Sequence, residues 1–194
     1  MKKLKMIGLA QGDLTTVKAS EAAQFLIISS LPGDYNPTPG SLIAALQSAY
    51  GVNVGNLAAA PAADYRATHN CWISTPLTGG SGQTIPYQRL ICFESTGSAA
   101  PAQIHGVFDA IRQFVPAPPP IPNPGPSAAT SMLSTGSAGA DRGQVLTALF
   151  NGCRALMTGG TGYNLTSFRI VVFQAAQQQQ MVSLFDSLKT SGRP

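Results

Sequence analysis

The sequence predicts an α/β chain: a three-layer α/β/α domain with a mixed central sheet. Three observations carry that expectation. Apolar runs of strand length alternate with segments whose apolar residues recur at steps of three and four. The unbroken run Phe25-Leu26-Ile27-Ile28 reads as a strand covered on both faces, as the inner strands of a parallel or mixed sheet are. Glycine-rich loops follow the apolar runs, above all Leu133-Ser134-Thr135-Gly136-Ser137-Ala138-Gly139-Ala140-Asp141-Arg142-Gly143. At 194 residues the chain is read as one domain, 1–194, with a sizeable core.

The elements follow in order. Lys5 to Ala10 is a first strand ending at Gln11-Gly12-Asp13-Leu14-Thr15-Thr16. Ala22 to Ile28 is the second, followed by a loop dense in Pro and Gly, Ser29 to Gly40. Ser41 to Tyr50 is a helix, since Leu42, Ile43, Leu46, Ala49 and Tyr50 share one face and Gly51 stops it. Val54 to Ala60 is a helical turn closed by Pro61, and Asp64 starts another turn. Cys71 to Leu77 and Tyr87 to Phe93 are strands, joined by the connection Thr78 to Thr84 as an antiparallel hairpin within the sheet. Pro101 opens a helix with the stripe Ile104, Val107, Phe108, Ile111 and Val115. His105 and Asp109, one turn apart beside that stripe, read as a solvated pair. Pro116 to Pro126 is an extended loop of polyproline character, a stiff connector between elements rather than a partner motif. Ser127 to Leu133 is a strand feeding the glycine loop, and Asp141 to Met157 is its helix, broken by Gly159-Gly160-Thr161-Gly162. Ser167 to Phe173 is the last strand, ended by Gln174, and Ala175 to Leu188 is a helix that buries Met181, Leu184, Phe185 and Leu188.

Composition narrows function. Only 10% of residues are charged and 44% are hydrophobic, which suits a compact fold. The net charge of +4 owes much to Lys2, Lys3, Lys5, Lys189 and Arg193 near the two ends, and no internal basic cluster interleaves with aromatics, so a nucleic-acid partner is not expected. Cys71, Cys92 and Cys153 form no paired redox or metal motif and read as buried apolar residues of a reducing compartment. The apolar run after the opening lysines is interrupted by Gln11 and Asp13, too early for a signal core or membrane span; the expectation is a cytoplasmic protein with no membrane partner. No Ser-His-Asp or Cys-His arrangement and no metal-ligand spacing is readable, so neither cofactor nor metal is expected.

The sequence places its chemistry in loops. Apolar run, glycine loop and helix make either an anion site, with helix N–H groups aimed at a phosphate, or an ordinary connection rich in turn formers. Asp13, just past the first strand, either caps the next turn or accepts a hydrogen bond from a ligand.

Together these segments resemble a macrodomain, the ADP-ribose-binding fold. Gln11-Gly12-Asp13-Leu14-Thr15 resembles the family's Gly-Asp-Ile-Thr signature, whose aspartate holds the adenine amino group. Leu133 to Gly139 resembles its phosphate loop, and Phe168-Arg169-Ile170-Val171-Val172-Phe173 its closing strand, beside which adenine packs. The resemblance implies ligand contacts at Asp13, Leu14, Ser29, Ser30, Tyr35, Gly40, Ser41, Ser134, Thr135, Gly136, Ser137, Ala138, Gly139, Ala140 and Phe173. Tyr35 would cover the distal ribose, and the helix start near Ser41 would take the second phosphate. The family's Asn-Ala-Ala-Asn stretch and glycine run are replaced by Ser29-Ser30-Leu31-Pro32-Gly33-Asp34-Tyr35-Asn36, so its ribose-facing asparagine has no counterpart by motif. The implied function is a module that binds or senses ADP-ribose or a related NAD-derived nucleotide, such as the product of a bacterial NAD-consuming immune enzyme. The alternative is an ADP-ribosyl hydrolase acting on an ester or glycosidic bond, with Asp34 or Asn36 positioning water.

Overall fold

The computed structural model describes residues 5–80, 84–114, 127–136, 138–159 and 165–191. Ser137, Val115, the proline-rich loop 116–126, the residues 160–162 expected to break a helix, and Lys2, Lys3 and Arg193 lie outside the described residues.

Strands β1 (Met6–Gln11), β2 (Ala23–Ser30), β3 (Ala63–Tyr65), β4 (Cys71–Ile73), β5 (Tyr87–Glu94), β6 (Ser127–Ser131) and β7 (Ser167–Val172) form one sheet of order β1-β7-β6-β2-β5-β4-β3. From β1 to β5 the pairings are parallel, while β4 and β3 run antiparallel at one edge. The sheet is mixed, as expected. Successive side chains of a strand point to opposite faces, and on β2 both sets are apolar. Phe25 and Ile27 enter one core with α4 (Ala100–Gln103), α5 (His105–Gln113), α6 (Arg142–Thr158) and Phe185 of α7 (Ala175–Ser191). Leu26 and Ile28 enter a second core with α1 (Leu42–Tyr50) and α2 (Val54–Ala59). These two cores make three layers.

Local chemistry sets the helix ends. Ser41 accepts the Ala44 N–H at 3.1 Å, and Asp141 accepts that of Gln144 at 2.8 Å; each satisfies a first-turn donor that the helix itself cannot. Gly51 closes α1 at φ 70°, a conformation that costs glycine little.

Five expectations are corrected. Asp64 lies in β3, opposite Trp72, rather than in a turn; its carboxylate nonetheless accepts the Arg66 N–H at 3.1 Å and starts the short helix α3 (Arg66–His69). β4 stops at Ile73, four residues early, because the Ser74 hydroxyl takes the Leu90 N–H at 2.9 Å and Pro76 has no N–H to donate. The helix opened by Pro101 divides at Ile104, where the Val107 N–H bonds the Ile104 carbonyl at 3.1 Å in a tightened turn. Gly106 beside it admits the backbone of His69, which would lie 2.8 Å from a Cβ. His105 and Asp109 do not meet: His105 Nδ1 lies 2.7 Å from the Ala102 carbonyl, and Asp109 pairs with Arg112 at 3.4 Å. On α7 only Phe185 is fully buried, with Met181, Leu184 and Leu188 half-buried around it. No described helix is long and apolar enough to cross a membrane.

Candidate functional site

After β2 the chain passes through α1 on one face of the sheet, and after the neighbouring strand β6 it passes through α6 on the other. Loops that diverge to opposite faces leave a crevice outside the carboxyl ends of the strands between them. A cleft of about 840 Å³ occupies that place, walled by the loops after β1, β2, β6 and β7.

The β6–α6 loop forms one wall. Ser134 stands at φ 57°, in the left-handed region that non-glycine residues rarely adopt, and its N–H bonds Ser29 Oγ at 2.8 Å. The Gly139 N–H closes on the Gly136 carbonyl at 3.0 Å, the Ala140 N–H on the Ser134 carbonyl at 2.9 Å, and Thr135 Oγ1 on the Met132 carbonyl at 3.0 Å. Three of the N–H groups expected to face a phosphate thus build the loop instead. Those of Thr135, Gly136 and Ala138 have no partner among the described residues, and all three residues line the cleft. Gly139 and Ala140 line an adjoining hollow, and Ser137 is outside the described residues. The Ser134 hydroxyl is buried without a hydrogen-bond partner, in a residue only 6% exposed that lines the cleft. Behind the loop, Gly97 at φ 50° approaches so closely that a Cβ there would lie 2.3 Å from the Ala138 carbonyl oxygen.

The β1 loop forms the opposite end. Asp13 Oδ1 accepts the N–H and the hydroxyl of Thr15 at 2.8 and 2.7 Å, so the aspartate caps its own turn. Oδ2 has no partner among the described residues, and Asp13 lines the cleft, which leaves both roles open to it. Leu14 is buried, its carbonyl held by the Tyr87 hydroxyl at 2.8 Å, and the Gly12 N–H ties the loop to the Val172 carbonyl at 3.1 Å. Burial raises the Tyr87 phenol well above its ordinary range, keeping it a donor. Phe173, 72% exposed, stands at the cleft where β7 ends; an uncovered aromatic at a cleft mouth is a ready stacking surface.

The β2–α1 loop is the third wall, and Ser29, Ser30, Gly40 and Ser41 line it. The N–H groups of Leu42 and Ile43, in the first turn of α1, have no partner among the described residues and face the same space. Asp34 and Asn36 also line the cleft, but Asp34 Oδ1 accepts both the N–H and the side-chain amide of Asn36 at 3.1 and 2.8 Å. That is a turn-forming arrangement. Tyr35 turns away: its hydroxyl donates to Glu94, receives Arg66 Nη1 at 3.3 Å, and its ring meets Trp72 edge-on at 5.8 Å. Burial and the Glu94 carboxylate push the Tyr35 phenol up to about 12.

Sequence reasoning missed Glu94, Arg142, Gln174 and Gln177. Glu94, buried at the end of β5, also accepts Trp72 Nε1 at 2.9 Å and the Gly33 N–H at 3.2 Å, and so pins the loop that carries Asp34. A carboxylate closing an apolar strand, Leu90-Ile91-Cys92-Phe93-Glu94, was its available signal. Arg142 opens α6, while Gln174 and Gln177 open α7; all three line the cleft. His69 and His105 lie on other surfaces, bonded to Gln113 and Ala102.

No family model matches the chain, and no curated protein matches it in sequence. Its structure is similar to that of a Trypanosoma brucei macrodomain in complex with ADP-ribose, at TM-score 0.64 and 14% identity over 96% of this chain and 69% of that one. The likeness to a Trypanosoma brucei macrodomain in complex with ADP has TM-score 0.63 and 12% identity, covering 94% and 68%. An Oceanobacillus iheyensis macrodomain with ADP gives 0.60 and 11%, covering 94% of this chain and 90% of that one. With nearly the whole chain superposable on these structures at so low an identity, what is shared is architecture: the chain has the macrodomain fold.

Proposed function

We propose that the chain binds ADP-ribose or a closely related NAD-derived nucleotide, as a binding or sensing module. The observation that carries this reading is the division of the cleft into an adenine-like end and an anion end. At one end, where the adjacent strands β1 and β7 finish, an open carboxylate oxygen, Asp13 Oδ2, and the uncovered ring of Phe173 both line the cleft, which suits an amino-bearing flat base. At the other, the open N–H groups of Thr135, Gly136 and Ala138 and those of Leu42 and Ile43 suit two phosphates of a diphosphate. The solved macrodomains with ADP-ribose and ADP support the same ligand class. Asp34, occupied by Asn36, gives no support to water activation.

Isothermal titration with ADP-ribose tests the reading. Binding is expected, and Asp13→Asn, which keeps an oxygen for the Thr15 cap, should weaken it by about 10- to 100-fold, the worth of a charge-assisted hydrogen bond. Absence of heat and of any thermal shift with ADP-ribose or ADP would overturn it.

A further inference from the structure

We infer that the cleft carries an additional phosphate subsite at Arg142, so that it prefers adenine nucleotides whose ribose bears a phosphomonoester at its 2′ or 3′ oxygen. The inference rests on the nucleotide-binding reading above. Arg142 lines both the cleft and the adjoining hollow of about 480 Å³. Its guanidinium makes no hydrogen bond or ion pair with any described residue, and its Nε is buried. Every other described arginine is engaged. Arg66 pairs with Asp64, Arg112 with Asp109 and Arg169 with Glu21; Arg89 donates to the Ser74 carbonyl, and Arg154 covers the Phe150 ring. The neighbouring carboxylate, Asp141, holds the Gln144 N–H at the head of α6.

Position names the ligand group. A base between Asp13 and Phe173 and a diphosphate on the N–H groups of Thr135, Gly136 and Ala138 leave the nucleoside ribose between them. Thr135 and Arg142 line both the cleft and the hollow, and α7 meets them there, with Gln174 and Gln177 on the cleft and Gln180 and Met181 on the hollow. α7 starts at the same place, and its first N–H groups, Ala175 to Gln177, have no partner among the described residues. Among the described residues of the cleft wall, Asp13 and Asp34 are the acids and Arg142 is the cation. A planar fork of donors beside open N–H groups matches a terminal phosphate, and arginine is the residue that accommodates a ribose phosphate in other nucleotide folds.

The test titrates the protein with ADP, adenosine 2′-phosphate 5′-diphosphate and adenosine 3′-phosphate 5′-diphosphate at low salt, for the wild type, R142Q and R142K. One of the two phosphorylated nucleotides should bind at least tenfold tighter than ADP. That preference should vanish in R142Q, survive in part in R142K, and shrink as salt rises, with the loss of affinity in R142Q at least tenfold larger for the preferred phosphorylated nucleotide than for ADP. Equal binding of ADP and both phosphorylated forms, or an R142Q loss that falls equally on ADP, overturns the subsite but leaves the nucleotide-binding reading intact. Failure of all three nucleotides to bind overturns both.

Discussion

Ser134 combines two unfavourable features at one position, a left-handed backbone and a buried hydroxyl without a partner. Strain and orphaned polar atoms persist where something outside the chain's own stability retains them, and a bound ligand is the usual reason. Ser134→Gly removes both, offset by the greater chain entropy of glycine, so the ligand-free protein should gain about 0.5–1 kcal/mol. For a chain of this size that is about 1–4 °C in Tm. The same variant should bind ADP-ribose several-fold more weakly, because glycine at position 134 loosens the loop that holds the open N–H groups of Thr135, Gly136 and Ala138 at the cleft. Paired melting curves and titrations check both signs; a variant that is less stable yet binds normally would make Ser134 a structural residue. At this scale the sequence was partly legible. A serine in a glycine loop announces a turn, but the left-handed geometry falls on Ser134 while Gly136 keeps φ outside that region, a choice set by contacts with Ser29 that lie 105 residues away in sequence.

Elements were legible where periodicity and capping agreed, as for α1, with Ser41 before it and Gly51 after it. They were less so where a tertiary contact decided the local geometry. The break at Ile104 follows from the approach of α5 to α3 at Gly106, and the short β4 from a side-chain hydroxyl entering the ladder. Two glycines that join elements separate binding from mere packing. Gly97, at φ 50°, leaves the Ala138 carbonyl room beside the loop, whereas Gly152 of α6 receives the ring of Phe108 from α5, whose Cδ2 would lie 2.3 Å from a Cβ. Gly97→Ala should cost about 2–4 kcal/mol, through backbone strain and overpacking, and weaken ADP-ribose binding more than tenfold because Ala138 must move. Gly152→Ala should cost about 1–3 kcal/mol by overpacking alone, with nucleotide affinity unchanged within twofold. Urea unfolding and calorimetry on both variants check the pair, and equal effects on affinity would mean that the loop responds to global loosening instead of to its support at Gly97.

For the whole molecule, the expectation of three layers succeeded because it depended on the two-sided burial of β2, a feature written in consecutive residues. Strand order was not legible, since which strands neighbour one another is settled by long-range packing rather than by any local pattern. Yet that order makes the cleft: β6 beside β2, with α6 and α1 on opposite faces, brings Ser134 to Ser29 and sets Asp13 across from both. The wall loops are anchored on strands of the one sheet, so a ligand that bridges them joins segments widely separated in sequence and binds only the folded chain. Stability and binding are then linked through mass action. At a free ADP-ribose concentration one hundred times its Kd, the folded state gains about 2.7 kcal/mol, equivalent to a rise of about 5–11 °C in Tm for a chain of this size. The rise should grow with the logarithm of ligand concentration and should shrink in Asp13→Asn in proportion to its weaker binding. Differential scanning calorimetry across a ligand series decides it: a Tm that does not move with ADP-ribose at millimolar concentration would mean that the cleft is a vestige of the fold and that the chain's partners lie on another surface.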